Sequence, residues 1–135
     1  MRYYFQENTE RAKLEDILGK TFTDIYRDDN NGDAMFFVMA DGTRYVMHHE
    51  QDCCEDVHIT DINGELKDLV GSPILEAEEA SEHDPGPEGR WNSITWTFYK
   101  LATIKGSVNI RWHGESNGYY SESVDFHYLG KVLDK

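Results

Sequence analysis

His48-His49-Glu50-Gln51-Asp52-Cys53-Cys54-Glu55-Asp56-Val57-His58 gathers imidazole, thiol and carboxylate groups in eleven consecutive residues. Thiolate and imidazole together suit Zn²⁺, and a strand running into a loop would let His49, Cys53, Cys54 and His58 approach one point. The stretch lacks the C-x2-C pair of structural zinc sites. The plainer expectation is therefore no cofactor, with one cysteine packed in the core, one histidine ending a strand and the acids solvated. Asp61-Ile62-Asn63-Gly64-Glu65 fails as a Ca²⁺ loop because its glycine comes two positions early for an EF-hand. A cysteine nucleophile is poorly served as well, since neighbouring acids raise a thiol pKa and nothing cationic offsets them. The G-x-S-x-G, Walker A and G-x-G-x-x-G patterns are absent. These residues point to binding rather than catalysis, with a metal-dependent enzyme built on His49 to His58 as one alternative.

Charge is the second chemical feature. The 135 residues hold 26 Asp plus Glu against 13 Lys plus Arg, for a net charge of -13. Thirteen of the acids lie between Glu50 and Glu88 with Lys67 as the single base there, so this stretch carries -12 and the rest of the chain only -1. Such an excess excludes the basic surface by which proteins bind nucleic acid or anionic membranes. Glu76, Glu78, Glu79, Glu82 and Asp84 form its densest run. They are expected either to be a solvated face or to dock a protein partner. The aromatic residues offer a third feature: Trp91, Tyr119 and Tyr120, with Trp112, could form a recognition surface. The plainer alternative is that they fill sheet faces. A nucleotide-like ligand sequestered in a sheet or subunit cleft would need Arg44, Arg90, Lys100 and Arg111 to converge.

The elements that position these groups read as mainly β, with α+β as the margin. A short N-terminal helix is expected over about 9–18, where Leu14, Ile17 and Leu18 recur at helical spacing before Gly19. Thr21 to Tyr26 reads as a strand. Asp41-Gly42 signals a two-residue type I′ hairpin that sets Phe36 against Met47, Phe37 against Val46 and Val38 against Tyr45. Both faces of its first strand are apolar, so that strand belongs inside a sheet or beneath cover on both sides. Val57 to Ile62 alternates as a half-buried strand, Leu66 to Val70 reads as one helical turn, and the second half of Glu76 to Gly89 reads as an exposed loop. Toward the C-terminus, a turn at Lys105-Gly106 pairs Leu101 with Ile110 and Tyr99 with Trp112. A bulged Ser116-Asn117-Gly118 turn then pairs Ile110 with Val124 and Val108 with Phe126. Seven or eight strands result, in one domain over 1–135, as an antiparallel sandwich or strongly curled sheet. An uncovered apolar face would allow a homodimer.

Adjacent Cys53 and Cys54 are poorly placed for an ordinary disulfide. No sustained apolar segment starts the chain, and none approaches the roughly 18 residues of a membrane span. These features point to a soluble protein of a reducing cytoplasm.

Several strings also carry a resemblance. Gly19-Lys20-Thr21-Phe22-Thr23-Asp24-Ile25, His49-Glu50-Gln51-Asp52-Cys53-Cys54-Glu55 and Gly71-Ser72-Pro73-Ile74-Leu75-Glu76-Ala77-Glu78-Glu79 are three of them. Thr95-Trp96-Thr97-Phe98-Tyr99-Lys100-Leu101-Ala102-Thr103-Ile104-Lys105-Gly106 and Gly114-Glu115-Ser116-Asn117-Gly118-Tyr119-Tyr120-Ser121-Glu122-Ser123-Val124-Asp125-Phe126 complete the set. The chain resembles, over about 18–126, an uncharacterised domain family common in tailed bacteriophages and in bacterial genomes with phage-derived genes. That resemblance implies no activity. It implies a phage or prophage accessory protein in the host cytoplasm, with the N-terminal helix outside the shared block; the acidic middle is then expected to bind a host protein and inhibit or modulate it.

Overall fold

The structure, a computed structural model, describes residues 10–28, 33–85 and 93–131. Nine strands form among these residues: β1 (Glu10–Arg11), β2 (Asp24–Asp28), β3 (Ala34–Val38), β4 (Thr43–His48), β5 (Asp56–Asn63), β6 (Glu76–Asp84), β7 (Ser93–Thr103), β8 (Gly106–Ser116) and β9 (Asp125–Lys131). They make two antiparallel sheets, five-stranded β1-β9-β4-β3-β2 and four-stranded β5-β8-β7-β6. The sheets pack face to face, as expected for a sandwich.

The β3–β4 hairpin closes through three residues, not two. Met39 and Thr43 pair at the loop base, Gly42 donates to the Met39 carbonyl at 3.0 Å, and the Thr43 N–H is held by the Asp41 carboxylate at 2.9 Å. Gly42 alone in the loop has positive φ, at 92°. A type I′ turn needs positive φ at both central residues, and Asp41 does not supply it. The register therefore moves by one residue, setting Phe36 against Val46 and Phe37 against Tyr45. That slip decides the faces. Met35, Phe37, Tyr45 and Met47 enter the main core, while Ala34, Phe36 and Val46 form a second buried cluster on the outer face. Both faces of β3 are buried, as its apolar sequence predicts, and Tyr26 stacks on Phe36 with ring centroids 5.3 Å apart.

Opposite this layer, the inward residues of the four-stranded sheet are Ile59, Tyr99, Leu101, Val108, Ile110 and Trp112. Tyr99 and Leu101 face the core, but two residues along from their predicted partners. The β7–β8 turn is Ile104–Lys105, so Tyr99 meets Ile110, Leu101 meets Val108 and Thr97 meets Trp112. Thr103 Oγ1 accepts the Lys105 N–H at 3.1 Å, which closes the turn one residue earlier and leaves Ile104 82% exposed.

The expected N-terminal helix does not form. Ala12 donates to the Phe126 carbonyl at 2.9 Å beside the short β1–β9 pairing, committing the chain to extended backbone. Only Leu14–Ile17 makes a 3-10 turn, burying Leu14 and Ile17 and leaving Leu18 46% exposed. Gly19 then bonds to the distant Ile74 carbonyl at 2.8 Å rather than to its own preceding turn. The second turn, Leu66–Leu69, forms where the sequence predicts it. Glu76–Asp84 departs in the other direction: it is a nine-residue strand rather than a lead-in to a loop.

The expected β8–β9 hairpin is also absent. Gly118 has the anticipated positive φ of 95°, but β9 joins β4 in the other sheet and β5 takes the second edge of β8. Glu122 explains the departure. Its buried carboxylate accepts hydrogen bonds from Ser116 Oγ and, at 2.6 Å, from Thr95 Oγ1, folding residues 117–124 back over the end of β7 and β8. Gly114 permits this approach, because a Cβ there would lie 2.8 Å from the Glu122 carbonyl oxygen and side chain. Gly114→Ala is expected to lower stability by about 2 kcal/mol or more through this overpacking. The readout is a lower urea midpoint with an unchanged m value.

Candidate functional site

The acidic stretch with the cysteines spans the loop from β4 to β5. Glu55 organises it. Its Oε2 accepts from the Asp52 N–H at 2.8 Å and its Oε1 from the Cys53 N–H at 2.9 Å, with His49 Nε2 2.6 Å from Oε2. His49 Nδ1 lies 2.6 Å from the Ser123 carbonyl, so both ring nitrogens are in contact with protein oxygens. Cys53 and Cys54 are bonded to each other, contrary to expectation. The bond joins sequence neighbours and closes no loop. His58 points away on β5 toward Asp56, 3.1 Å from its carboxylate. His49, Cys53, Cys54 and His58 therefore do not converge. Among the described residues, no group of three or more His, Cys, Asp or Glu is poised to hold a metal ion.

His48, one residue earlier, faces the opposite side. Its Nε2 is 3.0 Å from His127 Nδ1 in a buried contact, in which one nitrogen must accept. Burial, followed by the neighbouring His127, pushes the His48 pKa down to about 4. For Glu55, burial raises the carboxyl pKa, but the His49 and backbone hydrogen bonds outweigh it and hold the group at about 2.

The four-stranded sheet presents a different surface. Its outer face is laid out in cross-strand rows running from β6 to β5. One row is Glu82, Trp96, His113 and His58; the next is Ala80, Phe98, Arg111 and Asp61; the third is Glu78, Lys100, Asn109 and Asn63. A bulge between Ile59 and Asp61 keeps the last two rows in phase, since Thr60 is skipped and Asp61 meets Arg111. Trp96 and Phe98 are only half-buried. The Arg111 guanidinium lies 5.2 Å from the Trp96 ring centroid and 2.6 Å from the Asp61 carboxylate, and Trp96 meets His113 edge-on at 4.6 Å. Lys100 reaches Glu76 at 3.6 Å. Beside these aromatics is a groove of about 390 Å³ whose lining includes Asp61, Asn63, Glu78, Phe98, Lys100 and Arg111.

This arrangement answers how the sequence's charge is distributed. The acidic middle of the chain supplies β5 and β6, the two edges of one sheet, and the near-neutral C-terminal part supplies the centre. Glu76, Glu78, Glu82 and Asp84 occupy the outward positions of β6. Glu79 has the opposite parity and accepts the Tyr99 hydroxyl at 3.2 Å. The aromatic residues singled out from sequence divide differently. Tyr119 is 81% exposed with Tyr120 edge-on at 4.9 Å, Trp112 is buried in the core, and Trp91 lies outside the described residues. Trp96 and Phe98, which sequence reasoning does not single out, are the aromatic residues on this outer face. Their alternation with Tyr99 and Leu101 is the only sequence signal for an aromatic outer face.

Acid should act on the loop and the histidine pair in separate windows. Neutral His48 stabilises the fold fully above its ordinary value of 6.5, and that contribution is lost as pH falls toward about 4. Ionised Glu55 contributes fully above 4.5 and is lost as pH falls through about 2. The expected readout is a stability decline beginning between pH 6.5 and 4, with the His48 imidazole resonances titrating near pH 4. A His48 midpoint near 6.5 would contradict the buried pairing.

No curated protein and no solved structure matches the chain. A family match extends over residues 15–126, close to the block on which the sequence resemblance rests, and takes in all but Leu14 of the first 3-10 turn, the whole of the second, the outer sheet face and the Glu122 crossover. The chain belongs to the family of the domain of unknown function DUF7448.

Proposed function

We propose that this protein acts by binding a protein partner with basic groups, through the outer face of the four-stranded sheet and its acidic edge strand β6. One observation carries the reading: the half-buried Trp96 and Phe98, with Arg111 between strands, lie in the middle of a face whose two edges are acidic. Aromatic and arginine anchors enclosed by a polar rim are the composition of protein-binding hot spots. Glu76, Glu78, Glu82 and Asp84 would steer a basic partner into register. The resemblance to phage-borne proteins supports an accessory role in a host cytoplasm, where binding would inhibit or modulate a host protein.

The nucleotide alternative gains one point and loses another. Lys100 and Arg111 do lie near the same groove, but Glu76 and Asp61 engage them, and Glu78 joins Asp61 in its lining, so a phosphate would meet net negative charge. Arg44 lies on the other sheet over Phe36, and Arg90 is outside the described residues. The metal-enzyme alternative gains no support, because His49 contacts Glu55 and Ser123 and the two cysteines are bonded to each other.

The test is capture of partners from bacterial lysate on immobilised protein. Wild-type protein is expected to retain a partner that elutes with salt. A variant carrying Glu76→Lys, Glu78→Lys and Glu82→Lys should recover at least tenfold less, and Trp96→Ala should also weaken capture without moving the thermal midpoint. Undiminished capture by the charge-reversed variant would overturn the proposal.

A further inference from the structure

β6 ends the four-stranded sheet. Among the described residues no strand pairs with its outer edge, and eight of its nine residues are exposed. Every second residue of an edge strand directs its N–H and C=O away from its one neighbour, so among the described residues the Glu78–Glu82 stretch presents outward backbone groups to which a further strand could pair. Exposed strands of this length are usually guarded. Here the guard is charge: Glu76, Glu78, Glu79, Glu82 and Asp84, with no Lys or Arg in the strand.

The sign of that guard selects the occupant. A second copy pairing antiparallel through β6 would set carboxylates against carboxylates, and like charges directly opposite destabilise a strand pair. An added strand with lysine or arginine at alternate positions would reverse this, meeting Glu78 and Glu82 on the outer side. Ala80 lies between them and in the same row as Phe98. Its short side chain leaves room for an arginine on the added strand to reach across toward that ring, a favourable cation–π arrangement.

We infer that the partner engages β6 by strand addition: an extended basic segment pairs with the free edge as a fifth strand and places alternate cationic side chains along the Glu78–Ala80–Glu82 side. This deepens the proposed function and rests on it. Backbone pairing would supply a shared part of the affinity and the alternate carboxylates the selection, as in other strand-addition complexes.

The probe is a labelled ten-residue peptide of alternating arginine and threonine, compared with the same peptide N-methylated at alternate backbone amides. Charge is identical in the two, and the protein is unaltered. The unmodified peptide is expected to bind with salt-sensitive affinity and to slow hydrogen exchange at alternate β6 amides. The methylated peptide that cannot pair should bind at least tenfold weaker. Equal binding of both without β6 protection would overturn strand addition and leave the basic-partner reading standing. Absence of binding by either peptide would overturn strand addition too, and lysate capture insensitive to the β6 charges would overturn the broader reading separately.

Discussion

The buried carboxylate of Glu122 is the constraint on which the rest of the architecture depends. A carboxylate removed from water must be given donors, and here Ser116 and Thr95 provide them from the ends of β8 and β7. To reach those hydroxyls the chain folds back over Gly114 and cannot continue as a strand paired with β8. It crosses to the other sheet, where Asp125 receives the Glu50 N–H at 3.1 Å and the Arg11 guanidinium at 3.4 Å. The His49 contact with Ser123 ties the same crossover to the loop closed by Glu55. Two buried acids, Glu55 and Glu122, therefore fix the two places where the chain changes sheets.

The surface follows from that choice. With β9 withdrawn, β5 occupies the vacant edge of β8, and β6 lies on the opposite side of the sheet beside β7. Segments far apart in the acidic middle become the two borders of one face, and the C-terminal hairpin between them contributes Trp96, Phe98, His113 and Arg111. The ion pairs Asp61–Arg111 and Lys100–Glu76 are exposed and add little stability. Their effect is to neutralise the central cations, so that the remaining edge acids dominate the field over this face.

Much of the fold is legible in the sequence because side-chain alternation reports burial directly. The alternation puts Tyr99 with Leu101 and Ile110 with Trp112 on a common face, and they share it with Val57 and Ile59 of β5. Exact pairing was less legible, since it depends on loop conformation: one residue's φ at Asp41 separates the two β3–β4 registers, and the Thr103 hydroxyl shifts the β7–β8 turn. Leu14, Ile17 and Leu18 have helical spacing, yet a single turn satisfies the first two, and the remaining backbone bonds go to Phe126 and Ile74. Glu76–Asp84 lacks the branched and aromatic residues that mark strands; its conformation comes from nine cross-strand pairs with β7. Glu122 reads as a polar loop residue until its hydroxyl partners are brought together by folding. The proposed binding face is half legible: its acids stand out by count, whereas Trp96 and Phe98 differ from core aromatics only by parity.

The central claim is that the acidic edges and the aromatic centre of the four-stranded sheet act as one recognition surface. Residue-resolved chemical-shift mapping during titration with a captured partner tests it most directly. Perturbations concentrated at the Trp96 indole, the His113 ring, the Arg111 side chain and the β6 amides are predicted, with Tyr119 and Tyr120 unmoved. Perturbations centred on Tyr119 and Tyr120, or on the five-stranded sheet, would contradict the account.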